Sequence, residues 1–368
     1  MRILHIGARC DGSVAARRTE RLIEAVGPKV EHAIVAAAGA VHPRIAVSVR
    51  DDFPALTGIP TPGRLQRIAR AMQGYDLVLS HGWEAIDAPM AHTLFGQFLG
   101  LPPLVHHEDG LDAGELAGGS WRRNWVRRVA LGRTAALVVP SRQVEALALG
   151  AWQQPPARVR RIGFGTVLPA ETRKPRPDAL PRVVKRKGEL WLGAVAPLQP
   201  EEKLYRLVRM LAELPEPWQL VVVGEGPERE PLRADALRLG VAHRLHLPGD
   251  IADHAGAIAL FDLFAVSSDR NRLPEAVIEA MATGLAVLAP NIGELAETLA
   301  EENRGLLTPP GDEQALAAAI AKLAGNGADR RGIGEANRRH ARAEHDAKAM
   351  IAKLRSVYAQ ALRRPSLP

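Results

Sequence analysis

The stretch Phe264-Ala-Val-Ser-Ser-Asp-Arg-Asn-Arg-Leu-Pro-Glu-Ala-Val-Ile-Glu-Ala-Met-Ala-Thr-Gly-Leu-Ala-Val-Leu-Ala-Pro290 decides the fold. It reads as a buried strand, a polar loop, a helix, a glycine and a second buried strand. Open α/β sheets bind ligands where the C-terminal end of a strand hands over to a helix. Free N–H groups at the start of that helix suit an anion such as a diphosphate. Glu279 lies a little over one turn into the helix, within reach of a ligand hydroxyl. The stretch points to an activated, phosphate-bearing small molecule.

The same alternation runs through the rest of the chain. Strand patterns cover Arg2–Ile6, Val30–Ala36, Asp76–Ser80, Leu104–Glu108 and Ala135–Pro140, with helical periods such as Gly63–Gln73 and Trp121–Leu131 between them. A second series reads Glu189–Ala196, Gln219–Gly224, Arg244–Pro248, Leu263–Ser268, Ala286–Pro290 and Gly305–Thr308, followed by a helical tail from Glu313. Alternation of this kind predicts parallel sheets with crossover helices. Pro169–Gly188 has no apolar period and reads as a linker. No sequence repeat is present; what recurs is architecture, an α/β fold of two Rossmann-like halves facing a central cleft.

A chain of 368 residues exceeds one ordinary core, so two domains are expected. Hydrophobic residues make up 46% and aromatics only 4%, which leaves Leu, Val and Ala to build the cores. Cys10 is the single cysteine; it excludes an intrachain disulfide framework and fits a reducing cytoplasm. Met1–Gly7 is a short apolar run without a signal-peptide pattern, and no run approaches the roughly 20 apolar residues of a membrane span. The formal charge of +7 either favours an anionic partner or reflects an arginine-rich composition.

Two further strand-to-helix turns carry candidate chemistry. Val221-Val-Val-Gly-Glu-Gly-Pro-Glu-Arg-Glu230 ends a buried strand in Gly-x-Gly-Pro and opens a helix. In Leu192-Gly-Ala-Val-Ala-Pro-Leu-Gln-Pro-Glu-Glu-Lys-Leu-Tyr-Arg206, Lys203 stands near the first helical turn. A lysine there either caps a phosphate or is merely solvated.

Taken together these motifs resemble glycosyltransferase family 4, retaining enzymes of GT-B fold. The resemblance rests on Gly193-Ala-Val-Ala, Pro200-Glu-Glu-Lys, Val223-Gly-Glu-Gly-Pro, Leu247-Pro-Gly, Ser267-Ser-Asp with Leu273-Pro, Glu279-Ala-Met-Ala-Thr-Gly-Leu-Ala-Val and Gly305-Leu-Leu-Thr-Pro-Pro-Gly-Asp. His106-His-Glu-Asp-Gly110 and Val138-Val-Pro-Ser141 extend it into the first half. It implies an acceptor-side domain over 1–168, a linker over 169–188, a donor domain over 189–345 and a final helix over 346–368 that crosses back to the first domain. It implies transfer of a sugar from a nucleotide-sugar to a glycan, lipid-linked or small-molecule acceptor, with retention at the anomeric carbon. The nucleotide-sugar is a co-substrate, and neither a cofactor nor a metal is expected.

By the same resemblance Glu279 holds the ribose hydroxyls. Leu273, Pro274 and Glu275 lie by the sugar and diphosphate. Gly224, Gly226, Gly249 and Ile251 belong to the donor pocket, the last two facing the base. Thr283 and Gly284 serve helix–strand packing. His106 falls near the reacting centre, with His107 as its alternate, and Glu108, Asp109 and Gly12 lie on the acceptor side. Charge developing on the departing diphosphate calls for positive groups.

Three positions depart from the pattern. The family places two acidic residues with seven others between them; Glu279 is the second, and Asn271 occupies the first. Its customary Arg and Lys after Gly193 fall on Gln199 and Glu202, and a carboxylate facing a diphosphate repels it. Lys203 is one place later, about 100° around a helix, and Arg270 and Arg272 flank Asn271. These three cations are the expected compensation. The alternative is a catalytically impaired relative that binds a sugar nucleotide or a partner without turnover.

Trp121-Arg-Arg-Asn-Trp-Val-Arg-Arg-Val-Ala130 mixes Trp with Arg at helical spacing. It reads either as a surface for peripheral contact with an anionic membrane, at the inner face of the cytoplasmic membrane, or as a core-facing Trp/Val stripe with solvated arginines. Nothing accompanies the positive charge that reads as a nucleic-acid recognition motif.

Overall fold

A computed structural model describes residues 1–8, 14–36, 47–56, 59–108, 111, 113–116, 119–168, 179–181, 183–251, 253–269 and 275–367. It divides into two units, Met1–Gly165 with Ala347–Pro368, and Thr166–Asp346. Helices of eight residues or more are numbered α1 to α11.

The first unit runs β1 (Arg2–Ala8), α1 (Val14–Val26), β2 (Glu31–Ala36), β3 (Ser48–Val49), α2 (Pro62–Ala71), β4 (Leu77–His81), α3 (Asp87–Leu99), β5 (Leu104–His107), α4 (Trp121–Ala130), β6 (Ala136–Val139), α5 (Arg142–Leu149) and β7 (Val159–Arg161). Its sheet is parallel throughout, in the order β3-β2-β1-β4-β5-β6-β7. Strand side chains alternate between faces, and the core divides accordingly. Ile3, Leu77 and Leu79 pack with Leu22 and Val26 of α1, while Leu4, Ile6 and Val78 pack with Leu65, Ile68 and Ala69 of α2. The sequence pattern misses β3 and β7. The first is two residues long, and the second reads Val-Arg-Arg, the polar signature of a sheet edge.

The second unit runs β8 (Leu190–Val195), α6 (Tyr205–Glu213), β9 (Trp218–Val223), α7 (Arg229–Arg238), β10 (Leu245–Gly249), β11 (Leu263–Ala265), α8 (Glu275–Thr283), β12 (Val287–Pro290), β13 (Leu307–Thr308), α9 (Glu313–Ala324) and α10 (Gly327–Glu344). This sheet is also parallel, in the order β10-β9-β8-β11-β12-β13. Gly193 in β8 lacks a Cβ because the Phe261 ring would lie 1.9 Å from it. Gly284 ends α8 at φ +88°. A Cβ on Gly334 of α10 would lie 1.9 Å from its carbonyl oxygen. The missing Cβ of Gly334 thus lets α10 pack closely on the end of α8.

The chain then returns to the first unit as α11 (Ala347–Ala361), whose Met350, Leu354, Val357 and Tyr358 close the face that α1 leaves open. Of the stretch read as a linker, the described part is pinned to the second unit: Lys185 Nζ donates to Leu260 O at 2.7 Å and to Asp262 Oδ2 at 2.6 Å.

β12 starts before its partner β13, and Asn303 fills the gap. This side chain, 0% exposed, accepts from Val287 N at 2.9 Å and donates to Val287 O at 2.7 Å, while Asn337 Nδ2 donates to its Oδ1 at 2.6 Å. Asn303→Ala leaves buried peptide groups unpaired and should cost about 2–4 kcal/mol, measurable as a lower urea midpoint; an unchanged midpoint would mean that water replaces the amide.

Candidate functional site

Strand order reverses in the second unit between β8 and β11, the switch point at which open α/β sheets bind ligands. A cavity of about 70 Å³ lies there, lined by Ala194–Pro197, Glu202, Leu204, Ala265–Ser268 and Ile292. Its walls are loops fixed by hydrogen bonds. The expected strand Leu263–Ser268 stops at Ala265, and the two serines beyond it bond through their side chains. Ser267 Oγ donates to Glu202 O at 2.7 Å and Ser268 Oγ to Glu201 O at 3.3 Å. Both tie the loop after β11 to the short 3₁₀ turn Pro200–Glu202.

That turn ends at Lys203, held at φ +50°, an unusual backbone for a residue with a side chain. Its ammonium is paired with Asp269. The same carboxylate accepts from Arg206 Nη1 at 2.9 Å, from Arg206 Nη2 at 3.0 Å and from Gly311 N at 3.1 Å. Arg206 is 4% exposed and also donates to Ser267 O at 2.9 Å and to Glu313 Oε1 at 3.3 Å. The hydrogen bonds from Arg206 hold Asp269 well below the usual carboxylate range; they outweigh the opposing push of burial, and Lys203 and the Gly311 amide add to them. One acidic group thus binds three loops, after β8, β11 and β13. Neither Asp269 nor Arg206 was singled out from sequence, although both lie inside quoted motifs. Asp269 lies just beyond β11, and Arg206 lies in the first turn of the helix that follows β8, the two strands that border the switch point.

The remaining donor-side candidates are dispersed. Glu279 is half-buried on α8, one turn beyond Glu275 on the same helix face. The Glu275 side chain is buried and accepts from Thr166 Oγ1 at 2.6 Å. Gln199 is exposed, and Glu202 is half-buried. A Cβ on Gly224 or Gly226 would lie 2.0 Å from Ala196 O or 2.3 Å from Leu198 O. Chain-on-chain packing therefore requires both glycines. Gly249, at φ +99°, accepts from Gly224 N at 3.0 Å, and Ile251 N donates to Asp250 Oδ1 at 3.1 Å. Arg270, Asn271, Arg272, Leu273 and Pro274 lie outside the described residues, as do Gly12 and Asp109.

In the first unit, consecutive residues at the end of β5 point to opposite faces. His106 is 0% exposed; its Nδ1 shares a 2.8 Å hydrogen bond with Ser80 Oγ, and its Nε2 lies 4.0 Å from Glu108 Oε2. Glu108 is equally buried and accepts from Arg127 Nε at 3.0 Å. On the other face, His107 Nε2 shares a 2.9 Å hydrogen bond with Tyr358 OH. The two histidines therefore occupy different environments and are not interchangeable.

Helix α4 inverts the core-facing Trp/Val stripe. Trp121 is 73% exposed and Trp125 58%, whereas Arg127 is 1% exposed. The Arg127 guanidinium lies 4.9 Å from the ring centroids of both Trp83 and Trp152 and bonds Glu108 and Glu115. A planar guanidinium can be buried when rings cover its faces and carboxylates take its edges; an indole beside those carboxylates has no such match.

His107 also ends a row that sequence spacing gives no hint of, since each member comes from a different strand. His32, His5, His81 and His107 sit on neighbouring β2, β1, β4 and β5. His5 Nε2 and His32 Nδ1 lie 2.9 Å apart, and ring centroids are 5.8 Å apart for His5–His81 and 5.0 Å for His81–His107. Burial, reinforced by the neighbouring rings, pushes His5 well below the ordinary imidazole range, and burial brings His32 down to about 4. The unfolded chain takes up protons near pH 6.5, and the folded chain only at lower pH. Stability is therefore lost as pH falls from about 6.5 toward about 4, by on the order of 3 kcal/mol for His32 alone. Thermal melts at pH 7.5 and 4.5 should show this fall, and His32→Leu should reduce it; equal pH dependence in both proteins would count against it.

Residues 176–340 match the family model described as glycosyl transferases group 1. The chain is 28% identical over 297 residues to a GDP-mannose-dependent alpha-mannosyltransferase of Mycolicibacterium smegmatis, covering 78% of this chain and 75% of the relative. It is 26% identical over 339 residues to a D-inositol 3-phosphate glycosyltransferase of Jonesia denitrificans, covering 82% and 77%. Among solved structures, Anabaena HepE in complex with UDP superposes with a TM-score of 0.77 at 20% identity, over 98% of this chain and 100% of that one. Sucrose-phosphate synthase from Thermosynechococcus elongatus gives a TM-score of 0.69 at 24% identity, over 99% of each chain. The fold is GT-B. Group 1 glycosyltransferases that use nucleotide-sugar donors are the proteins this chain is similar to, and no described helix is long and apolar enough to cross a membrane.

Proposed function

We propose that this protein is a retaining hexosyltransferase of glycosyltransferase family 4 that moves a sugar from a nucleotide-sugar to a glycan, lipid-linked or small-molecule acceptor. The observation that supports the reading most is the joining of two basic side chains, Lys203 and Arg206, to Asp269 beside the switch point of the second sheet, six residues before the helix that carries Glu279. The relatives named above, a GDP-mannose-dependent enzyme among them, support the donor class.

In this reading Arg206 is structural. Buried and doubly bonded, it keeps Asp269 in place whether or not a ligand is present. Lys203 is the mobile cation. Its ammonium exchanges Asp269 for the diphosphate, whose negative charge grows as the sugar departs. Lys203 also offsets Glu202 at the cavity wall, with Arg270 and Arg272 as further candidates for the same task. Glu279 accepts from the ribose hydroxyls. His106, whose orientation Ser80 fixes, serves the reacting centre, and the departing diphosphate assists deprotonation of the acceptor. No step uses a metal or a cofactor.

A thermal-shift screen against GDP-mannose, UDP-glucose and an ADP-sugar tests the donor site. Ligand at a hundred times its dissociation constant stabilises by about 2.7 kcal/mol, so one of the three should raise the melting temperature clearly. Glu279→Ala should weaken that donor by roughly 10- to 100-fold, the value of a charged hydrogen bond. No shift with any nucleotide-sugar, or full affinity in Glu279→Ala, overturns the reading.

A further inference from the structure

We propose that the outer face of α3 and α4 seats this protein on an anionic lipid bilayer. Helices α3 and α4 lie side by side and run in the same direction. Met90 packs in the cluster that holds Val126, Thr93 Oγ1 donates to Ala130 O at 2.7 Å, and Arg133 Nη1, one turn further on, donates to Gln97 Oε1 at 2.8 Å. At 100° per residue, this register turns Leu94 and Phe98 of α3 to the same side as Arg122 and Trp125 of α4, with Trp121 and Arg128 at its border. Their exposures agree: Leu94 55%, Phe98 86%, Trp121 73% and Trp125 58%. Four large apolar side chains thus stand in water on one surface, and Arg122 and Arg128 are exposed among them.

Charge decides which occupant fits. Helix α4 contains no acidic residue. The single acidic residue of α3, Asp87, is paired with Arg64, and Glu115 pairs with Arg123 and Arg127, on the inward side of α4. A second copy packed through the same face would bring its own arginines and no carboxylate of these two helices to meet Arg122 and Arg128. A bilayer offers an anionic layer above an apolar one, which matches aromatic and aliphatic side chains interleaved with guanidinium groups. Arg122 lies 5.7 Å from the Trp121 ring centroid, a pairing that suits the boundary between the two layers. The proposal extends the acceptor side of the function above to lipid-linked acceptors, and its test is independent of turnover.

The test is co-sedimentation with phosphatidylcholine vesicles, with and without roughly a third phosphatidylglycerol. Wild type should bind the anionic vesicles and leave the neutral ones. Arg122→Gln with Arg128→Gln should weaken binding by roughly tenfold, and Phe98→Ser with Trp125→Ser by a similar factor. Melting temperature and the nucleotide-sugar thermal shift should be unchanged in both double variants. Failure of wild type to bind, undiminished binding in the arginine variant, or a dimer in light scattering that the variants dissolve would each overturn the proposal. A donor shift that survives such a failure leaves the transferase reading intact.

Discussion

The bidentate pair between Arg206 and Asp269 is the constraint on which the second unit's site depends. Asp269 follows the strand at the switch point, and Arg206 opens the helix after the neighbouring strand. Their union, with Gly311 bonded to the same carboxylate, joins three loops that the sheet alone leaves separate. An arginine buried in this way is stable only while its partner stays ionised, and removing either one leaves a charge without a counter-ion. Arg206 is 4% exposed, and Lys203, which pairs with the same carboxylate, is the more exposed of the two.

The first unit follows the same logic with different chemistry. Alternation along β5 separates His106 and His107 onto two faces. One face holds Ser80, Glu108 and Arg127; the other holds a row of histidines closed by Tyr358. Both ensembles are buried, so their geometry is set by packing and is in place before any ligand arrives.

Much of the architecture was legible because buried parallel strands are continuous apolar runs between turn residues, and Phe264–Pro290 shows two of them around one helix. Short edges were not, since Val-Arg-Arg of β7 carries no apolar signal. The helix that carries Glu279 was legible because its pattern is local. Contacts that join distant segments were not. Asp269 and Arg206 are 63 positions apart, and the four histidines of the row come from four strands. Helix α4 shows the reverse error: hydrophobicity sends tryptophan inward, but Glu108 and Glu115 draw Arg127 into the interior and leave Trp121 and Trp125 outside.

The central claim is that the ends of β8 and β11 receive a pyrophosphoryl group and that Lys203 trades one anion for another there. A crystal structure of the protein with a bound nucleoside diphosphate is the direct measurement. The account predicts the diphosphate at the first turn of α8, the Lys203 ammonium moved onto it, and Arg206 still clasping Asp269. A nucleotide lodged elsewhere, or Lys203 unmoved beside a bound diphosphate, would contradict it.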